Sequence, residues 1–149
     1  MLEYLRNLFV YDKWAMTRSL GTIETPANPR AQATLSHILL AEKIWLTRLN
    51  GEDASSIPVF DKLTLPDCIR LADELNLAYL RYIDSLSEAD LDRSISYKNT
   101  KGDEFDTSIR DILTHVGLHS VYHRGQIAML VRDEGGEAVG TDHILFTRL

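Results

Sequence analysis

Apolar residues recur at three- and four-residue intervals in four separate stretches of the chain, and each stretch predicts an amphipathic helix. The first covers about Leu2 to Leu20, with Leu5, Leu8, Phe9, Trp14, Ala15 and Met16 in register and Gly21 as its stop. The second runs from about Pro29 to Leu49. Asn28 is suited to cap it, Pro29 to form its first turn, and Asn50-Gly51 to close it. The third opens at Thr64, where a cap is followed by Pro66 and Asp67, and continues through Ile69, Leu75, Leu80 and Ile83 to Ser87. The fourth is carried by Ile109, Ile112, Leu113, Val116, Ile127, Leu130 and Val131, with Thr107 as its N-cap and Asp133 to Gly136 as its end.

The connections differ in kind. Thr22 to Arg30 contains two prolines and reads as a link. Glu52 to Leu63 lacks any period and is long enough to cross a bundle and return the chain parallel to the second helix. Between the third and fourth helices, the alternation Ser94-Ile95-Ser96-Tyr97, the turn-rich Asn99 to Asp103 and Glu104-Phe105-Asp106 predict a small hairpin. Two strands alone are marginal, so the hairpin must lean on the helices. Thr141 to Leu149 is a short tail, and its isolated His143 is read as a surface residue.

The expectation is therefore an all-α fold, a four-helix bundle with a small β-hairpin, in one domain spanning 1–149. With 22 acidic against 16 basic side chains the formal charge is −6, which should repel phosphate backbones, and no local basic patch argues for a nucleic-acid partner. The N-terminus carries charges every few residues, unlike a signal peptide, and no stretch is long enough to span a membrane. A single cysteine permits no internal disulfide and fits the cytoplasm. Cys68 falls in a first helical turn and reads as a packing residue.

The chemistry lies in the run HVGLHSVYHRGQ, His115 to Gln126. His115, His119 and His123 stand four apart, which on a helix confines them to a stripe about 80° wide. They share the predicted apolar face and should point inward. Buried imidazoles need partners, either hydrogen bonds from a facing helix or a metal ion. On the second helix, His37 has Ala33 one turn before and Ala41 one turn after, which suits either a pocket wall or close packing of helices. Antiparallel neighbours would bring His37 to the height of His119 and His123, at roughly 1.5 Å of rise per residue. A three-histidine metal site from His37, His119 and His123 is thus geometrically reasonable. Glu42 and Arg124 point away from it and are assigned to salt bridges or a neighbouring helix.

LSHILLAEKIWLTRLNG (Leu35 to Gly51), HVGLHSVYHRGQIAMLVR (His115 to Arg132) and TDHILFTRL at the end resemble, over the whole chain, the DinB-like superfamily of metal-binding bundles. The lesion-bypass polymerase of similar name is unrelated to this resemblance. The resemblance implies up-down-down-up topology, a homodimer, and a divalent metal on three histidines, whose positions fall on His37, His119 and His123. Some relatives are thiol-dependent transferases or isomerases using low-molecular-weight thiols, and others are linked to stress or DNA damage.

Three neutral imidazoles leave a coordination position open, as at catalytic metals. A thiolate or water bound there would be an activated nucleophile. Gln126 and His115, on the same face, are candidates to orient a ligand or shuttle a proton. Imidazole suits zinc or nickel, and iron as well. The metalloprotease pattern needs Glu directly after its first histidine, where this chain has Ser120, and paired Glu-x-x-His motifs, a phosphate loop and a Gly-x-Ser-x-Gly elbow are missing from the sequence. Two functions follow as expectations. One is a metal-dependent transferase or hydrolase joining a small thiol to an electrophile. The other is a non-catalytic, stress-related dimer with a structural or sensory metal, packed along the stripe Gly117, Val121, Gly125 and Ala128.

Overall fold

A computed structural model describes residues 1–23 and 28–149. Its elements are α1 (Leu2–Ile23), α2 (Pro29–Leu49), α3 (Leu65–Asp84), a 3₁₀ turn (Glu88–Asp92), β1 (Ser94–Lys98), β2 (Glu104–Ser108), α4 (Ile109–Asp133) and α5 (His143–Phe146). Part of the link expected over Thr22 to Arg30 falls on 24–27, outside the described residues.

The caps explain most boundaries. The Asn28 side chain accepts from Ala31 N at 2.9 Å, Pro29 opens α2, and Gly51 at φ 76° releases the chain from its end. Thr64 accepts from Asp67 N at the start of α3. Two boundaries differ from the sequence reading. Helix α1 does not stop at Gly21 but continues to Ile23. Ile23 is 1% exposed, and its burial, worth about 1.5–3 kcal/mol, outweighs the roughly 1 kcal/mol that a helical glycine costs. The cap of α4 is Ser108, not Thr107: Ser108 Oγ accepts from Asp111 N at 3.1 Å, while Thr107 is held in the hairpin opposite Ile95.

Named contacts fix the topology. Arg6 meets Asp84 and Lys13 meets Asp73, so α1 and α3 are antiparallel. Ser36 meets Cys68, the Glu42 carbonyl meets Tyr79, and the Leu49 carbonyl meets Tyr82, so α2 and α3 are parallel. His37 lies against His119 and His123, and Trp45 against His115, so α2 and α4 are antiparallel. The four long helices therefore run up, down, down, up. The core between them contains Leu5, Phe9, Leu35, Leu39, Tyr79, Ile112 and Ile127, with Cys68 fully buried as a small packing residue.

The hairpin pairs β1 with β2 from Ser94 opposite Ser108 to Lys98 opposite Glu104. It leans on α2 as expected: the Arg48 guanidinium lies over both Trp45 (4.6 Å) and Tyr97 (4.5 Å), and donates to the Lys98 carbonyl at 2.9 Å. The tail is more ordered than the sequence suggests. His143 is exposed but not isolated, its ring lying 4.9 Å edge-on to Tyr11, whose hydroxyl donates to the Thr141 carbonyl. No helix among the described residues is long and apolar enough to cross a membrane.

Candidate metal centre

Helices α2 and α4 bring three imidazoles together. Ring centroids are 4.7 Å apart for His37 and His123, 5.1 Å for His37 and His119, and 4.4 Å for His119 and His123. One donor nitrogen from each ring lies within 4.8 Å of the others. A tetrahedral ion with bonds of about 2.0–2.1 Å holds its donors roughly 3.3 Å apart, so modest side-chain rotation closes the set on one ion.

The row of histidines does not point into the core as the sequence pattern suggested. His119 and His123 are half-buried and His115 is exposed, whereas the buried face of α4 carries Ile112, Val116, Ser120, Arg124 and Ile127. A spacing of four residues advances about 40° beyond a full turn, so the row drifts around the helix and leaves the core at its N-terminal end. His115 ends 5.6 Å from the His119 ring and packs against Trp45 at 5.2 Å.

Two of the three rings are oriented from behind. Nδ1 of His37 donates to the Val59 carbonyl at 3.1 Å, because a carbonyl only accepts. Nδ1 of His123 donates to Gln126 Oε1 at 2.7 Å. In both rings Nε2 remains as the free lone pair, the arrangement by which outer partners prepare a metal ligand. The ring of His37 is also covered by Phe60, stacked at 4.7 Å and 11°. Val59 and Phe60 lie in the period-free connection before α3, where the sequence offers no signal for them. Gln126, three residues after His123, was visible in the spacing.

Electrostatics favours a neutral, ligating His119. Burial first, then the neighbouring His123, His37 and His115, lower its pKa from 6.5 to about 4. Partial burial lowers that of His115 as well. A cavity of ≈700 Å³, lined by none of the histidines, is bounded by the end of α2, the 51–59 connection and the hairpin, with Ile44, Arg48, Val59 and Tyr97 among its walls. Val59 connects it to the histidines, through its carbonyl on His37.

Arg124 and Glu42 turn away from the imidazoles, as their spacing implied. Arg124 pairs with Asp12 of α1 and donates to Ser120 Oγ (2.5 Å) and the Tyr11 hydroxyl (3.3 Å). Glu42 is buried, and burial followed by the nearby Asp12 raises its pKa well above the usual carboxylate range.

Comparison with known proteins places the chain in a family. The family model described as "DinB family" matches residues 23–149. The chain is 24% identical to "Protein DinB" of Bacillus subtilis (strain 168) over 163 residues, covering 98% of this chain and 95% of that protein. Its fold is similar to the crystal structure of a DinB-like protein from Bacillus cereus ATCC 10987, with TM-score 0.66 and 16% identity over 93% of this chain and 95% of the other.

Proposed function

The chain belongs to the DinB family, and on that premise we propose that it is a divalent-metal-dependent enzyme that transfers a small thiol to an electrophile. The observation that carries the reading is the pair of outward hydrogen bonds from Nδ1 of His37 and His123, which leaves Nε2 of both rings free beside His119. The donor set is all nitrogen and suits zinc or nickel, with iron the next choice. When bound, such an ion lowers the pKa of a thiol or water beside it and supplies the nucleophile at neutral pH.

The protein's own groups do the rest. His37, His119 and His123 hold the ion, and Gln126 fixes His123. His115 stands one turn from His119, and partial burial lowers its pKa from the ordinary value, which favours the neutral ring that can accept the thiol proton. The sulfur then forms its bond to the electrophilic carbon as the leaving group departs. The ≈700 Å³ cavity has the size of a small-molecule site, and Arg48 offers a cation to an anionic group on the substrate. The single cysteine, buried and free, fits a cytoplasmic enzyme.

A second reading, a dimer whose metal is structural or sensory, is favoured by the outer face of α4. Leu118, Val121, Tyr122 and Met129 are exposed there, with Gly117 and Gly125 open around them. A second copy of the chain would cover them.

Metal content of untagged protein purified without a nickel column separates these ideas from a metal-free bundle. About one ion per chain is expected, with little in His37→Ala or His119→Ala. No metal after soaking in zinc or nickel would sink both readings. With metal present, turnover of a thiol and electrophile that vanishes on chelation supports the enzyme. A fall in thermal stability without turnover supports the dimer.

A further inference from the structure

A second cavity lies away from the histidines, none of which lines it. It has a volume of ≈460 Å³ and is enclosed by α1, α2 and α3. Its walls are mostly apolar, from Phe9, Met16, Leu20, Leu39, Ile69 and Ala72. Asp12, Lys13, Thr17 and Asp73 also line it, together with two deeply buried polar side chains, Glu42 and Asn76, only 6% and 8% exposed. Each presents an oxygen with no hydrogen-bond partner among the described residues, Oε1 of Glu42 and Oδ1 of Asn76.

Most neighbouring donors are committed elsewhere. The Asn76 amide nitrogen donates to the Phe9 carbonyl at 2.9 Å, which fixes the amide orientation and leaves Oδ1 as the free end. The Tyr79 hydroxyl donates to the Glu42 main-chain oxygen at 2.7 Å. Arg124 uses Nη1 and Nη2 on Asp12, Ser120 and Tyr11, and its buried Nε–H has no partner among the described residues. What remains is a mostly apolar chamber with two buried acceptors that no donor among the described residues meets, and buried acceptors are rarely left so without a reason.

We propose that this cavity is a binding site for a small primary amine, taken as its ammonium, with an alkyl or aryl body. An ammonium carries three N–H donors on one atom, enough to meet both oxygens at once; burial and then the nearby Asp12 favour the neutral Glu42 acid, which passes its proton to the entering amine to form the ammonium–carboxylate pair. A hydroxyl offers one donor and no charge. The apolar walls receive the body, and the volume lies in the range of small-molecule sites. Entry passes the exposed ion pair of Lys13 and Asp73, 3.5 Å apart, which is cheap to part. The site is independent of the metal centre and stands whether or not the thiol-transfer reading does.

Calorimetric titration of metal-stripped protein with phenethylammonium, beside phenethyl alcohol, tests it. The expected result is saturable one-to-one binding of the ammonium, at least tenfold tighter than the alcohol and unchanged in His119→Ala. Glu42→Gln is expected to weaken it tenfold or more. Ala72→Leu, which fills the chamber without touching either acceptor, should do the same, and a cooperative melt checks that each variant is folded. Equal affinity for amine and alcohol, no binding of either, or binding lost in His119→Ala but kept in the folded cavity variants would overturn the proposal.

Discussion

Gln126 Oε1 accepts a hydrogen bond from Nδ1 of His123 at 2.7 Å, so this glutamine acts on the ligand ring from behind. Its role is to position. Gln126→Ala should leave the fold intact and weaken metal binding about 10–100-fold, the usual cost of losing an outer partner of a ligating histidine. Competition with a chromophoric chelator measures the loss. Gln126→Glu, which still accepts from Nδ1, should keep most of the affinity, and equal losses in both variants would contradict the positioning role.

The ion would join α2 to α4, so it should stabilise the folded state alone. At a zinc concentration about 100 times its dissociation constant, linkage gives roughly 2.7 kcal/mol of added stability. Differential scanning calorimetry with and without zinc reads this as a rise in melting temperature, reversed by chelation. His37→Ala should abolish the rise. A rise that survives in that variant would place the ion elsewhere.

The buried pair of Arg124 and Asp12, with side chains 1% and 13% exposed, predicts a large mutational effect. Arg124→Met leaves Asp12 uncompensated and should cost about 3–5 kcal/mol. At 2–4 °C per kcal/mol the melting temperature falls by roughly 10 °C. The double variant with Asp12→Leu should recover part of that loss, and strictly additive effects would show that the pair is not coupled.

The pKa of His119 gives a signed pH dependence for the metal-free protein. The folded state binds its proton only near pH 4, whereas the unfolded chain does so near 6.5. Stability from this group is therefore complete above 6.5 and is lost as pH falls from there toward 4. Urea unfolding at several pH values should show that decline, and His119→Gln should flatten it. Metal affinity should fall in the same window, because protons compete for the ligands.

The sequence made some of this legible and concealed the rest for identifiable reasons. Both ends of α2 were readable because Asn28, Pro29 and Asn50-Gly51 are local signals that tertiary contacts reinforce. The convergence of His37 with His119 and His123 followed from helix rise once α2 and α4 were taken as antiparallel neighbours. The end of α1 was not readable, because the burial of Ile23 that extends it past Gly21 is a long-range effect. Arg124 and Asp12 are separated by 112 positions, and no spacing rule joins them. The cap of α4 shifted by one residue because the hairpin register had already claimed Thr107. The inward row of histidines failed at His115, where the drift of a four-residue spacing carries the ring out of the core.

His37 owes its tautomer to a main-chain oxygen, that of Val59, and its covered face to Phe60 beside it. A carbonyl is supplied by any residue, so substitutions at Val59 leave this support in place. Chain length does not share that tolerance. Removing one residue between Glu52 and Pro58 would draw both groups away from the ring, while α2 and α4 stayed where they are. The connection that looks least structured in the sequence is thus the segment in which an insertion or deletion reaches the candidate metal centre most directly.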